Sequence, residues 1–323
     1  MRKYNLPIFI PHRGCPHDCV FCNQRKITGV DTEVTPDAVR GLISDFLATV
    51  TAEDASVEAA FFGGSFTGLD PALQERFLSV AAEFFPVISG IRLSTRPDYI
   101  NPEVIALLKR YGVTTVELGV QSTSDRVLEM NNRGHCAEDV RRASELIRGA
   151  GIGLGHQMML GMYGSDPETD LKTVSDIIDM HPGCVRIYPV VTLRGTALER
   201  LYEDGSYVPY TVAEAAELAK TAVVRFRKAA IDVIRVGLHS SEELDTDGVV
   251  AGPYHPAFGE LVESLIYRDI IEKEFAAEPV HGAEFVFRCP ACDISKAVGH
   301  KKMNRDYFRE KYGIRLAVKS EQA

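Results

Sequence analysis

Four proline-marked helix starts, each following a short apolar run, restrict this chain to an alternating strand–helix fold. Thr35-Pro36, Asp70-Pro71, Asn101-Pro102 and Asp166-Pro167 each put a side-chain acceptor at the N-cap and proline at the first helical position. There the missing proline N–H loses no hydrogen bond, and the cap oxygen takes a donor that would otherwise be orphaned. The apolar runs 57–64, 91–96, 114–122, 153–161 and 185–191 are strand-sized and bounded by glycine or polar turns. Gly112 and Gly151 stand where helices should stop. With the run 6–11 they make six strands, and strands alternating with helices imply a parallel sheet. That sheet is either a curved partial barrel or an open doubly wound sheet. Both carry functional residues at the carboxyl ends of strands.

Beyond about residue 205 the pattern changes. Thr211 caps a helix reaching about Ala230, and 231–239 reads as a strand. A loop rich in Asp, Gly and Pro follows, then a helix over 258–274, a strand over 283–289 and a basic terminal helix. We expect a core over 1–205 and an α+β extension over 206–323. The chain has 323 residues, ordinary apolar and charged fractions, and no apolar run long enough to span a bilayer. A basic start, Arg2-Lys3, precedes the first apolar run, but a cysteine loop follows it where a leader would need small residues. A cytoplasmic protein without a membrane partner is expected. Seven cysteines without regular spacing argue against a disulfide framework.

Three of those cysteines carry chemistry. Cys15, Cys19 and Cys22, spaced C-x3-C-x2-C, suit three corners of a [4Fe–4S] cube and leave the fourth iron open. The alternative is a zinc loop completed by His12 or His17, although structural zinc sites usually pair their cysteines as two knuckles. Phe21, just before the third cysteine, can lie against a flat ring bound beside a cluster, which a zinc loop does not need.

This loop resembles the signature of the radical S-adenosylmethionine (radical SAM) enzymes. The resemblance implies a partial (β/α)6 barrel, a [4Fe–4S] cluster and S-adenosylmethionine (SAM) as cofactors, and a flavodoxin or ferredoxin as electron donor. It also implies reductive cleavage of SAM to a 5′-deoxyadenosyl radical, chemistry that belongs to the cofactor while the protein supplies position. GGSFTGL, STRPDY, ELGVQS, NRGH, RIYPV and RGT look more narrowly like the radical SAM domain of the Elongator catalytic subunit and its stand-alone prokaryotic relatives, over roughly residues 5–200. That subunit continues into an acetyltransferase domain for which this sequence has no room, so carboxymethylation of tRNA wobble uridine is not carried over.

The resemblance assigns Gly63 and Gly64 to the SAM amino group; the alternative is a tight turn without a ligand. Glu117 would hold the ribose hydroxyls, or be a core carboxylate satisfied by arginine, since a carboxylate inside an apolar strand needs a partner. Arg133 would pair with the SAM carboxylate, or be a solvated helix-end cation. Phe21, Ser94, Gln121, Met159 and Ile187 complete the expected SAM contacts, and no residue is assigned a catalytic role. Arg96, held extended by Pro97, would meet a substrate anion or simply Asp98.

Two features stay outside that picture. Cys289-Pro290-Ala291-Cys292 offers half of a second metal site, with His281 as a third ligand and Cys136 or Cys184 as a distant fourth; otherwise it is two reduced thiols. Against a net charge of −9, the segment 296–319 carries eight Lys and Arg residues opposed by Asp306 and Glu310. This basic helix either grips RNA, tRNA in particular, or packs against an acidic barrel. The rival to a radical enzyme is therefore a non-catalytic, metal-containing RNA-binding protein.

Overall fold

The computed structural model describes residues 2–10, 15, 19–23, 34–51, 55–239, 242–277 and 284–321. Its centre is a seven-stranded, all-parallel sheet in the order β1 (Arg2–Phe9), β2 (Ala55–Phe62), β3 (Gly90–Thr95), β4 (Val113–Gln121), β5 (Gly153–Leu160), β6 (Cys184–Pro189) and β8 (Asp232–Val236). The sheet curls into a half-barrel. The six expected strands are present, β8 is a seventh, and β7 (Thr192–Leu193) pairs antiparallel with β9 (Val249–Ala251), which follows the short helix α9 (Glu242–Thr246). The boundary expected near residue 205 falls between helices α7 (Ala197–Glu203) and α8 (Val212–Lys228), and the sheet continues across it.

Each expected helix start forms as the sequence dictates. Thr35, Asp70, Asn101 and Asp166 accept from Ala38, Ala72, Val104 and Thr169 N–H, with proline opening α1 (Pro36–Thr49), α2 (Pro71–Ala82), α3 (Pro102–Arg110) and α6 (Pro167–Asp179). Two helices with non-proline starts, α4 (Asp125–Met130) and α5 (Ala137–Gly149), complete the first half of the barrel. Alternation along each strand sends Ile8, Phe61, Leu93, Val116, Leu118, Met158 and Ile187 outward into the main core beneath the helices. The other residues of each strand line the concave face, where Glu58, Arg92, Glu117 and Arg186 meet. Among the described residues no helix is long and apolar enough to cross a membrane.

A separate small core begins where α10 (Phe258–Ala277) leaves the barrel. It holds Ile271, Phe285, Phe287, Cys289, Ala297, Phe308 and Leu316, contributed by α10, the parallel pair β10 (Glu284–Cys289) and β11 (Arg315–Ser320), and helices α11 (Ile294–Val298) and α12 (Met303–Tyr312). The expected single basic helix is therefore corrected. Gly313, left-handed at φ 67, ends α12, and Arg315 to Lys319 belong to a strand. The basic residues do not pack against barrel carboxylates either. Lys296, Arg309, Lys311 and Arg315 pair with Asp293, Asp306, Glu272 and Glu284 of this same region. Lys301, Lys302, Arg305 and Lys319 are exposed and have no ion pair among the described residues.

Candidate active site at the carboxyl ends of the strands

The cysteine segment is moored to the rim of the half-barrel at several points. Val20 N–H donates to Asn131 O (3.3 Å), Leu198 N–H donates to Val20 O (2.8 Å), and Cys22 N–H closes onto Cys19 O (3.0 Å). Asn131, fully buried, donates to Val127 O and Tyr163 O, which fixes the mooring post. Phe21 is buried in a small apolar cluster with Cys19, Val127, Met162, Val190, Leu198 and Tyr207, and Met159 packs at its edge. Phe21 thus anchors the loop, while Met159 lies beside it at the end of β5.

Arg133 reaches into this corner. Its Nη1 donates to Cys19 Sγ (3.2 Å) and its Nη2 to Gly119 O (2.8 Å). The guanidinium is buried without a carboxylate partner among the described residues, and its Nε has no acceptor. The solvated-cation alternative for Arg133 is therefore excluded. Cys15 is the exposed thiol. Even so, the protein crowding its sulfur pushes it up, as does Cys19, while Arg133, Arg96 and the Ser65 N–H draw it down. Those partners bring the ends of β2, β3 and β4 to one place. Among the described residues, no three His, Cys, Asp or Glu side chains gather around one point as ligands of a single ion do. A cube asks for less convergence, because each thiolate binds its own iron.

The glycine turn after β2 is locked to β3 by hydroxyls. Ser65 Oγ and Thr67 Oγ1 both meet Thr95 Oγ1 (2.9 and 2.6 Å), and Arg96 N–H donates to Ser65 Oγ (3.2 Å). Positive φ falls on Gly63 (φ 90), so only that glycine of the pair needs its conformational freedom. Ser94 is buried on β3 beside this cluster. Arg96 forms a fork onto Asp98 (3.0 and 2.9 Å) and keeps Nη1 without a partner, so the Asp98 alternative holds with one donor to spare.

Gln121 ends β4 at a bulge with φ 64, the centre of a turn closed by Ser122 N–H to Val120 O (2.8 Å). Such a backbone is strained for glutamine, and strain of this kind collects at functional sites. Its Oε1 is buried without a partner. His135, bonded to Val120 O at 3.3 Å, is held neutral because burial, then Arg133 and Arg96, push its pKa down to about 4. Its Nδ1 is the fourth unpartnered atom of the group, with Arg96 Nη1, Gln121 Oε1 and Arg133 Nε. Gly119 makes the meeting possible: a Cβ there would lie 3.2 Å from Gln121 Nε2 and 3.3 Å from Arg133 Nη2. His135 and Asn131 escaped sequence reasoning as site residues, although the first ends the quoted NRGH run and the second precedes it.

Glu117 sits deeper, on the concave face. It accepts from Arg186 Nε (2.6 Å) and Nη2 (3.0 Å), from Arg92 Nη1 (2.9 Å) and from Gln157 Nε2 (2.9 Å). Both oxygens are engaged, as the core-carboxylate alternative requires. Burial alone would raise its pKa, but the bonds and charge of Arg186, then Gln157 and Arg92, outweigh it and hold the carboxyl low. We expect Glu117→Gln to cost about 3–5 kcal/mol in urea unfolding, because it leaves the Arg186 guanidinium without a carboxylate and takes one of two from Arg92. The contribution is present above the ordinary carboxylate range and is lost as pH falls through the lowered native pKa. Unchanged SAM affinity in the variant would keep Glu117 structural; a loss matching that of a cofactor-site variant would return it to the ribose.

At Ile187 any contact with a bound ring falls to the backbone. Its side chain is fully buried on the helix side of β6, because Arg186 and Tyr188, one residue either way, take the concave side. Among the described residues no third ligand joins Cys289 and Cys292. Cys289 lies in the small core, Cys292 is exposed, Cys136 caps α5 and Cys184 adjoins Arg92 inside the barrel. His281 lies outside the described residues.

A half-barrel with a three-cysteine loop and a buried arginine at its carboxyl rim defines an iron–sulfur enzyme of one superfamily. Residues 9–177, more than half the chain, match the Radical SAM superfamily model, and 182–268 match the Radical_SAM C-terminal domain. The chain belongs to the radical SAM superfamily, whose members are enzymes with a [4Fe–4S] cluster and SAM as cofactors. Within it, the chain is 29% identical over 253 residues to the tRNA uridine(34) acetyltransferase of Methanocaldococcus jannaschii, covering 64% of this chain and 46% of that one. It is 24% identical over 320 residues to Elongator complex protein 3 of Mus musculus, covering 84% and 58%. The solved Elp3 of Methanocaldococcus infernus, lacking residues 1–46, superposes with a TM-score of 0.64 at 21% identity, covering 97% of this chain and 68% of that one. The chain spans about half the length of the curated relatives it matches.

Proposed function

We propose that this chain binds a [4Fe–4S] cluster through Cys15, Cys19 and Cys22, cleaves SAM reductively, and acts on tRNA. When bound, the cluster supplies one electron and SAM supplies a 5′-deoxyadenosyl radical that abstracts hydrogen from the substrate. The observation that carries the reading is Arg133: a buried, carboxylate-free guanidinium already bonded to Cys19 beside three more unpartnered polar atoms. These residues fit the cofactors. Arg133 would take the SAM carboxylate as a charge-assisted pair, and the half-buried peptide of the Gly63-Gly64 turn would take its amino group. Gln121 Oε1 and neutral His135 Nδ1 would accept from amino or hydroxyl groups, and the buried cluster around Phe21 would keep water from the loop.

Two measurements test it. Anaerobic incubation with SAM and a low-potential reductant, with and without total tRNA, should yield 5′-deoxyadenosine; none formed by cluster-replete protein would end the reading. Binding of tRNA is supported by the relatives that are tRNA uridine(34) acetyltransferases and by the exposed cations of the C-terminal region. Truncation there would remove Phe308 and Leu316 from the small core, so charge reversal is the cleaner probe. Lys301→Glu, Lys302→Glu and Arg305→Glu combined should weaken tRNA binding and reduce the salt slope by about 2–3, since each phosphate contact contributes roughly 0.7–0.9. Salt-independent binding would count against the tRNA assignment while leaving SAM cleavage standing.

A further inference from the structure

The concave face of the half-barrel is neutral on one side and carries a spare cation on the other. Glu58 bonds Arg92, and Glu117 bonds both Arg92 and Arg186, so two carboxylates match two arginines in one continuous network. Arg186 is further fixed by the Phe62 ring, 5.1 Å from its guanidinium carbon. Arg235, on the edge strand β8, is the next inward residue, in register with Arg186. Its neighbour Val236 packs into the outer core, which leaves Arg235 on the concave side. Its Nε donates to Gly237 O (3.3 Å), and it lies near the half-buried phenol of Tyr188. Among the described residues no carboxylate pairs with it.

Arg235 is half-buried, and an inward guanidinium at a barrel opening without a carboxylate partner offers its remaining N–H donors to an anion that enters there. The anion cannot be the one that completes Arg133. That arginine follows α4 and bonds Gly119 O of β4, three strands from β8 and so about 14 Å away across the sheet. Among the described residues, two inward cations thus lack a carboxylate, one beside the cysteine segment and one at the open edge. We infer that Arg235, with the Tyr188 hydroxyl and the outer face of Arg186, holds an oxyanion of the second reactant, a phosphate or a carboxylate, in the lateral opening of the half-barrel. This rests on the radical SAM reading, in which the corner at Arg133 belongs to SAM and the reactant enters opposite it. Arg235 acts as a specificity-determining residue: it fixes where the substrate lies and takes no part in bond breaking. Arginine suits the role because its planar fork matches a phosphate or carboxylate edge.

The test uses the anaerobically reconstituted protein saturated with SAM, so that Arg133 is already occupied. Inorganic phosphate and acetate are titrated separately by calorimetry into wild type, Arg235→Met and Arg235→Lys, with SAM affinity measured by equilibrium dialysis. At least one anion should bind wild type saturably. Arg235→Met should weaken it at least about tenfold, as loss of a charge-assisted contact implies. Arg235→Lys should retain part of the binding and, with its charge in place, guards against a folding artefact. SAM affinity should be the same in all three. A preference for phosphate identifies a phosphorylated reactant; a preference for acetate identifies a carboxylate. No saturable binding to wild type, or equal binding to wild type and Arg235→Met, overturns the inference. Failure of wild type to bind SAM at all would instead strike the radical SAM reading.

Discussion

Replacing any one of Cys15, Cys19 or Cys22 by alanine should abolish SAM cleavage while the barrel stays folded. The prediction separates chemistry from architecture, because the cysteine segment is attached to the fold by other atoms. Val20 carries the backbone bonds to Asn131 and Leu198, and Phe21 supplies the apolar anchor. None of the three thiols belongs to the main core beneath the sheet. Cys19 is the most demanding case, since it is buried in the small cluster and accepts from Arg133. Even there, alanine removes one sulfur atom, a change worth about 1 kcal/mol of burial. Iron and sulfide content should fall, the low-temperature spin resonance of the reduced cluster should vanish, and 5′-deoxyadenosine should drop to background. Far-ultraviolet circular dichroism and the urea midpoint should change little. A variant with wild-type turnover after reconstitution would show that the corresponding thiol is not a cluster ligand.

The sequence announced its helix starts because capping is local: an acceptor side chain and a proline are adjacent, and nothing distant is needed to satisfy them. The strands were legible for a similar reason, as apolar runs between glycine and polar turns. What escaped was whatever depends on register. Glu117 stood out as a buried carboxylate, but Arg92 and Arg186 are 25 and 69 residues away and meet it only because the parallel strands align. The side on which Ile187 points was hidden for the same reason, since strands buried on both faces show no alternation of polarity. Gln121 is displaced by a bulge that no residue type signals. In the C-terminal region Gly313 does mark the end of a helix, whereas the left-handed pair Lys301 and Lys302 could not be foreseen, since lysine disfavours that conformation. The three cysteines were legible because their spacing is itself the constraint.

Arg133→Met should weaken SAM binding by about 30-fold or more and leave the unliganded fold as stable as before, or slightly more so. The two halves have one cause. The guanidinium is buried, gives two hydrogen bonds to Cys19 Sγ and Gly119 O, and lacks a carboxylate among the described residues. In the unliganded protein it is a charge without adequate compensation, so an apolar side chain of similar length removes a desolvation penalty. When the carboxylate of SAM arrives, that same charge becomes half of a buried pair, and deleting one partner of such a pair costs about 2–5 kcal/mol. Glu117→Gln should behave in the opposite sense, losing stability with SAM affinity intact, because its charge is fully used inside the protein. Arg133→Lys should fall between wild type and Arg133→Met, since a lysine keeps the charge but cannot present two parallel donors. Equilibrium dialysis with reconstituted protein and a urea titration of each variant decide the matter. If Arg133→Met bound SAM as wild type does, the carboxylate would have to be held elsewhere. Arg96, whose Nη1 is the remaining unpartnered cationic donor at that corner, would then be the group to replace.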